Sequence, residues 1–212
     1  MLARRLEICG LGSKIKYIPY NTAYTSSATW TVPYTQWYEI HIVGTGGTGG
    51  DGGTGGLGSN YFSYRGGSGG GGGSGGHTAG RYLLTAGTKI PLTIGASTTF
   101  GDTVDAFYMS VSKGRNGGNG GNAIPDNFEN GVGGSAGARG PVTSAGNLPV
   151  SSAGNAGGKG SDGGSSGGAG GSSPYNGYGA GGKGGAGSTS STKTTGGAGG
   201  TGVVTITAYQ QE

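Results

Sequence analysis

The residues equipped for chemistry are few and scattered. The 212-residue chain carries two histidines and one cysteine. His41 lies in an alternating apolar stretch, where it reads as a half-exposed strand residue, and His77 falls on the side-chain-bearing edge of a glycine run, a solvated position. Neither has a second His or Cys at metal-ligand spacing. Asp102 with Asp105, and Asp126 with Glu129, are carboxylate pairs close enough in sequence for acid–base work, but no base or nucleophile accompanies them, and Asp126 and Glu129 belong to a polar loop. Ser68 and Ser74 each sit in a G-x-S-x-G match, yet neither follows a strand and precedes a helix, as a nucleophile elbow requires. Lys159 and Lys183 follow Gly-Gly but precede glycine, so the phosphate-loop pattern fails at its Ser/Thr position. No catalytic residue, cofactor or metal is expected.

Recognition is the chemistry the sequence supports. Between glycine runs lie short segments rich in aromatics and Asn: 60–65 (NYFSYR), 124–129 (IPDNFE), 147–150 (NLPV) and 174–178 (PYNGY). Tyrosine offers a large contact area at low entropic cost, and Asn and Ser offer adaptable hydrogen bonds, which is the composition of loop-based binding surfaces. The candidate receptor-binding residues are Tyr61, Tyr64, Asn127, Phe128, Tyr175, Asn176 and Tyr178. The competing reading is that these aromatics cap the ends of the glycine region. Tyr61 and Phe62, read as nearest the β core, are foremost for that role.

The elements that would hold such loops follow from the glycines. From Gly44 to Gly56 every third residue is other than glycine, which places Thr45, Thr48, Asp51 and Thr54 in one register. A period of three matches neither α-helix nor β-strand but the polyproline II helix. Similar runs follow. Arg65, Ser68, Ser74 and His77 share one register, Asn116, Asn119 and Asn122 another, and Thr195, Ala198 and Thr201 close the series. Glycine edges without Cβ let such helices approach and exchange N–H and C=O groups, giving a bundle of polyglycine II helices. Each ordered residue costs about 1–2 kcal/mol of backbone entropy, whereas a hydrogen bond returns a net of about 0.5–1.5 kcal/mol, so the bundle needs fixed ends. Strands supply them. Residues 37–43 alternate as a strand that runs into the first glycine run; 81–96 read as a hairpin turning at Ala86-Gly87, with Pro91 at an edge or bulge; Phe107, Met109 and Val111 alternate; and 202–209 leave the last run as a strand. The fold class expected is mainly β: a small antiparallel β-sandwich-like core welded to packed polyglycine II helices, with almost no α-helix. Two parts are expected, an N-terminal attachment arm over 1–28 and the glycine-rich domain over 29–212.

Composition sets the exclusions. Fifty-eight glycines against 31% hydrophobic residues leave no conventional core for most of the chain, and the regular phase argues against a flexible linker. Gly-Gly-X with 7 prolines is not collagen. The net charge of +4 is spread over scattered basic residues, so no nucleic-acid footprint is expected; Arg4, Arg5, Lys14 and Lys16 form the nearest thing to a patch and suit a solvated or partner-facing attachment arm. Cys9 reads as a small buried hydrophobe. Neither a membrane-spanning run nor a secretory signal is expected, so synthesis in the cytoplasm is.

Thr29 through Pro33, the strand into glycine at 40–50, the 82–96 segment YLLTAGTKIPLTIGA, Thr99-Phe100-Gly101 and the closing 196–206 together resemble the glycine-rich domain of bacteriophage tail-fibre and adhesin proteins. The resemblance spans roughly 29–208, about one ordinary domain. It implies a non-enzymatic virion appendage whose inter-helix loops contact a host-cell surface receptor, protein or glycan, with other tail proteins as partners. It further implies either a homotrimer or a cap on a trimeric fibre. A decoration or joint protein held by the N-terminal arm is the alternative. A third reading is an ice-binding protein presenting the threonine row of the first run.

Overall fold

The computed structural model describes residues 17–210. The protein is mainly β, with antiparallel sheets and one short 3-10 turn, Pro125–Asn127, among the described residues. No helix there is long and apolar enough to cross a membrane.

Alternation builds the core. In β3 (Gln36–Val43), Tyr38, Ile40 and Ile42 are fully buried while Glu39 and His41 face the other way. The strand sits between β11 (Val203–Ala208) and β6 (His77–Leu84), and β1 (Asn21–Tyr24) flanks β11, giving the sheet order β1-β11-β3-β6. A second sheet runs β10-β9-β8-β7-β2, from β10 (Val142–Ser144), β9 (Met109–Ser112), β8 (Ser97–Phe100), β7 (Lys89–Thr93) and β2 (Ala28–Thr31). The inner faces share one core, in which Trp30 and Phe100 meet Tyr38, Ile40, Ile206 and Met109. Burying each such side chain contributes about 1.5–3 kcal/mol.

Two sequence expectations change. The 81–96 stretch is not a hairpin: β6 and β7 belong to different sheets, and the turn at Gly87 (φ 82°) carries the chain across the sandwich. Pro91 is consequently in an interior strand, just outside the β8 pairing that begins at Leu92. Residues 21–24, grouped by sequence with the arm, form a strand paired to β11, and the Gln36 side chain both accepts from the Ile18 amide (2.8 Å) and donates to its carbonyl (3.0 Å). Arg4, Arg5, Cys9, Lys14 and Lys16 lie outside the described residues.

The glycine runs leave the sandwich and return to it. Run 1 (44–56) follows β3, run 2 (65–77) enters β6, and run 3 (113–123) follows β9. Run 4 (130–141) enters β10, and runs 5 (153–162), 6 (163–173), 7 (179–188) and 8 (194–202) follow, the last entering β11. Hydrogen bonds join them every third residue, as in Gly44→Gly76, Gly47→Gly73, Gly50→Gly70 and Gly53→Gly67 between runs 1 and 2. Odd-numbered runs point away from the sandwich and even-numbered ones back.

Run 2 is the centre. Every amide from Gly66 to Gly75 donates, in rotation, to runs 7, 3 and 5, Gly76 and His77 continue the rotation to Ser112 and Ser152 just ahead of runs 3 and 5, and the carbonyls accept from runs 1, 4 and 6. The six surrounding runs also bond to one another around the ring, and run 8 packs outside against 1 and 7. Residues 66–80 are buried throughout. This explains the unbroken 69–73 pentaglycine: a Cβ on Gly71 would overlap the Ala169 carbonyl. The only side chains in the middle of the run are Ser68 and Ser74, whose hydroxyls accept from the amides of Ser161 (2.7 Å) and Asn155 (2.6 Å) in run 5.

Where run 1 faces outward, side chains replace missing backbone. Asn116, Asn119 and Asn122 each accept through Oδ1 from the amides of Thr48, Asp51 and Thr54 at 2.9–3.0 Å. The three-residue Asn spacing is a cap repeated along one edge.

Gly71→Ala forces backbone overlap at the centre and is expected to lower unfolding free energy by about 3 kcal/mol or more, while Gly95→Ala, with open space around the added methyl, stays within about 1 kcal/mol. Urea melts of both variants check this.

Candidate functional site

The alternation of run direction divides the loops between two ends. Connections 56–65, 123–130 and 188–194 lie at the end far from the sandwich, and 141–153 and 173–179 lie beside it. Four of the candidate residues, Tyr61, Tyr64, Asn127 and Phe128, therefore share the far end, and Tyr175, Asn176 and Tyr178 sit at the other. Tyr61 and Phe62 are correspondingly at the end opposite the β core that the sequence placed them near.

The far end is built from two loops in contact. A small hairpin, β4 (Gly56–Leu57) with β5 (Ser63–Tyr64), carries the 58–62 turn, in which Gly58 donates to the Phe62 carbonyl and Tyr61 donates to that of Gly58. The Asn60 side chain locks the turn, accepting from the Phe62 amide (3.1 Å) and donating to the Tyr64 hydroxyl (2.9 Å). Tyr64 in turn packs against Phe128, ring centroids 6.1 Å apart. Phe128 ends the 3-10 turn in a left-handed conformation, its amide donating to the Pro125 carbonyl.

What these loops present is apolar and exposed. Tyr61 is 90% exposed, Leu57 and Phe62 68% each and Phe128 55%. Tyr61 and Phe128 also hold φ at 60°, and with Asn176 (φ 45°) they are the described non-glycine residues at positive φ. For a bulky L-residue that conformation costs on the order of 1–2 kcal/mol, which burial of the Tyr61 ring does not offset and packing of Phe128 on Tyr64 offsets only in part.

The 173–179 loop does something else. Asn176 and Gly177 both take positive φ, as a type I′ turn requires, and Tyr178 donates to the Tyr175 carbonyl at 2.9 Å. The turn lays Tyr175 flat over two imidazoles, 4.5 Å from His41 and 4.9 Å from His77. Tyr175 and Tyr178 are half-buried, and Asn176 is exposed.

His77 is thus buried rather than solvated as the sequence suggests, while His41 is a partly buried strand residue. His41 Nε2 donates to Glu39 Oε1 (2.9 Å), Arg81 Nε donates to Glu39 Oε2 (2.6 Å), and the Arg81 guanidinium lies 3.9 Å from the centre of the Tyr209 ring. Because Glu39 takes the Nε2 proton, neutral His41 has only Nδ1 free as an acceptor, and His77 Nε2–H donates to it at 3.1 Å. Pairing in the sheet brings these residues together, Glu39 opposite Arg81 and Val43 opposite His77. Single-strand alternation predicts the outward face of His41 but not its partner, because the register of β3 with β6 spans runs 1 and 2 and the hairpin between them.

Burial, with the neighbouring His41, lowers the His77 pKa to about 4. Burial alone would raise the Glu39 carboxyl, but the His41 and Arg81 hydrogen bonds outweigh it and hold the group below its ordinary range. A proton on both imidazoles would set two N–H donors against each other. Asp102 and Asp105 close a turn, the Asp102 amide donating to Asp105 Oδ2 at 2.7 Å, and among the described residues no three His, Cys, Asp or Glu side chains gather as a metal would need.

The chain matches no protein-family model and no curated protein.

Unfolded His titrates near 6.5 and folded His77 near 4, so the unfolded chain binds the proton first and stability is lost as pH falls from about 6.5 to 4. With the ring buried, the loss is about 3 kcal/mol. His77→Gln is expected to flatten that dependence, checked by thermal melts at pH 7.5 and 4.5.

Proposed function

We propose that the protein is a virion appendage of the tail-fibre or adhesin type, which recognises a host-cell surface receptor through the far-end loops. In this reading the glycine runs are polyglycine II helices, a reading supported by the hydrogen bond at every third residue and by the three-residue phase of the sequence. They form a stiff stalk between an attachment end and a recognition end.

The single observation that carries the reading is the exposed, backbone-strained pair Tyr61 and Phe128, with Phe62 and Leu57 beside them, at the end opposite the sandwich. Large exposed apolar residues gathered in one place mark interaction sites, and strain that packing does not repay concentrates where function requires it. Tyr175 and Tyr178 have a different task in this account: they seal the junction of sandwich and stalk. Ile18 is clamped to Gln36 at the start of β3, which lies at the sandwich end. Attachment through the arm, with Arg4, Arg5, Lys14 and Lys16 and a trimeric partner or fibre, would therefore leave the far end free. A joint or decoration role would use the arm and not those loops. The ice-binding alternative gains no support from the threonine row: Thr45 donates to the Gly95 carbonyl (2.9 Å) and Asp51 accepts from the Gly196 amide (3.0 Å).

Saturable, competable binding of the labelled protein to a panel of bacterial strains is the test. Changing Tyr61, Phe62 and Phe128 together to Ala is expected to weaken binding to a responsive strain more than tenfold, about the effect of one hot spot, with melting unchanged. Undiminished binding by that triple variant would remove the far end from the account.

A further inference from the structure

Two arginines break the glycine register on neighbouring rungs. Positions 115, 118 and 121 of run 3 donate to run 4, and where Gly118 and Gly121 fill two of them, Arg115 fills the first. In run 4, Arg139 continues the line of Gly133 and Ala136. The Arg115 amide donates to the Ala138 carbonyl at 2.8 Å, so the two backbones are adjacent. Both residues are exposed, and both line one open groove of about 700 Å³ at the junction of the runs with β10, walled further by Pro141, Val142, Thr143 and Ser151.

No carboxylate lines this groove, and the ion pairs among the described residues all involve Glu39. Two arginines thus line one groove without a carboxylate, and an anion that reaches both would receive forked, charge-assisted hydrogen bonds. Pro141 and Val142 offer an apolar wall and Thr143 and Ser151 hydroxyls, a mixture suited to a ring with one apolar face and many hydroxyls. The volume falls in the usual small-ligand range of about 300–1,000 Å³. A peptide added to the β10 edge is a poorer fit, since β10 has three residues and its pairing with β9 is irregular.

We propose that this groove binds an anionic saccharide, a sugar bearing a phosphate or a carboxylate, as a second site remote from the far-end loops. The proposal rests on reading the protein as one that engages cell surfaces, but its chemistry is tested apart from that reading.

The full chain is titrated by calorimetry with glucose 6-phosphate, with galacturonic acid and with glucose, and the Arg115→Gln/Arg139→Gln double variant is titrated alongside. Saturable binding of at least one acidic sugar is expected, weakening with salt, falling at least tenfold in the double variant at unchanged melting temperature, with glucose not binding. The two acidic arms show which anion the groove prefers. Absence of binding by both acids, equal binding by the double variant, or tighter binding of a tetraglutamate peptide would overturn the proposal. The Tyr61, Phe62 and Phe128 triple variant retains the sugar titration if the sites are separate, so loss of cell binding and loss of sugar binding fail independently.

Discussion

The structure depends on satisfying the backbone of run 2. Twelve consecutive residues, 66–77, are buried with almost no side chains, so their N–H and C=O groups have neither water nor a hydrophobic reward. A buried amide left unpaired costs about 1–3 kcal/mol, and a run of them would be prohibitive. The solution is six neighbours, three accepting and three donating, and it is available only because bare glycine lets the chains approach. Most of the other runs are held in place by this requirement, and the Asn116, Asn119 and Asn122 ladder appears where the lattice runs out of neighbours.

The sandwich answers a different need. Net hydrogen-bond gains are close to the entropy of ordering glycine, so the lattice is marginal unless its ends are fixed. Strands β3, β6, β9 and β11 each continue into a run, and the hydrophobic core aligns those ends. The Glu39, His41 and His77 cluster, held by hydrogen bonds within the first sheet, occupies the seam and ties that sheet to the 173–179 loop through the stacking of Tyr175. Loops at the far end are thereby displayed on a rigid support, which lets exposed rings be preorganised at low entropic cost.

Much of this was legible in the sequence because glycine period and strand alternation are local. Strands at 37–43 and 202–209, the mainly β class and the Asn register follow from residue spacing alone. The central position of run 2 is not evident there: its register of Arg65, Ser68, Ser74 and His77 looks like a free edge, although the pentaglycine between Ser68 and Ser74 is where side chains have no room. Pairings across runs were not legible. The register that sets Val43 opposite His77, and with it the imidazole pair, depends on the length of the intervening excursion. The 81–96 stretch misleads for a related reason, since a short turn between two apolar strands looks the same whether they pair or cross a sandwich. The candidate loop residues were found by composition, but their division between two ends required the alternation of run direction.

Amide hydrogen exchange resolved along the chain tests the central claim most directly. The account expects residues 66–77 to be among the slowest exchanging, matching β3 and β11, with run 8 faster because it lies outside the ring. Exchange of 66–77 at the rate of an unprotected chain while the sandwich strands stay protected would contradict it.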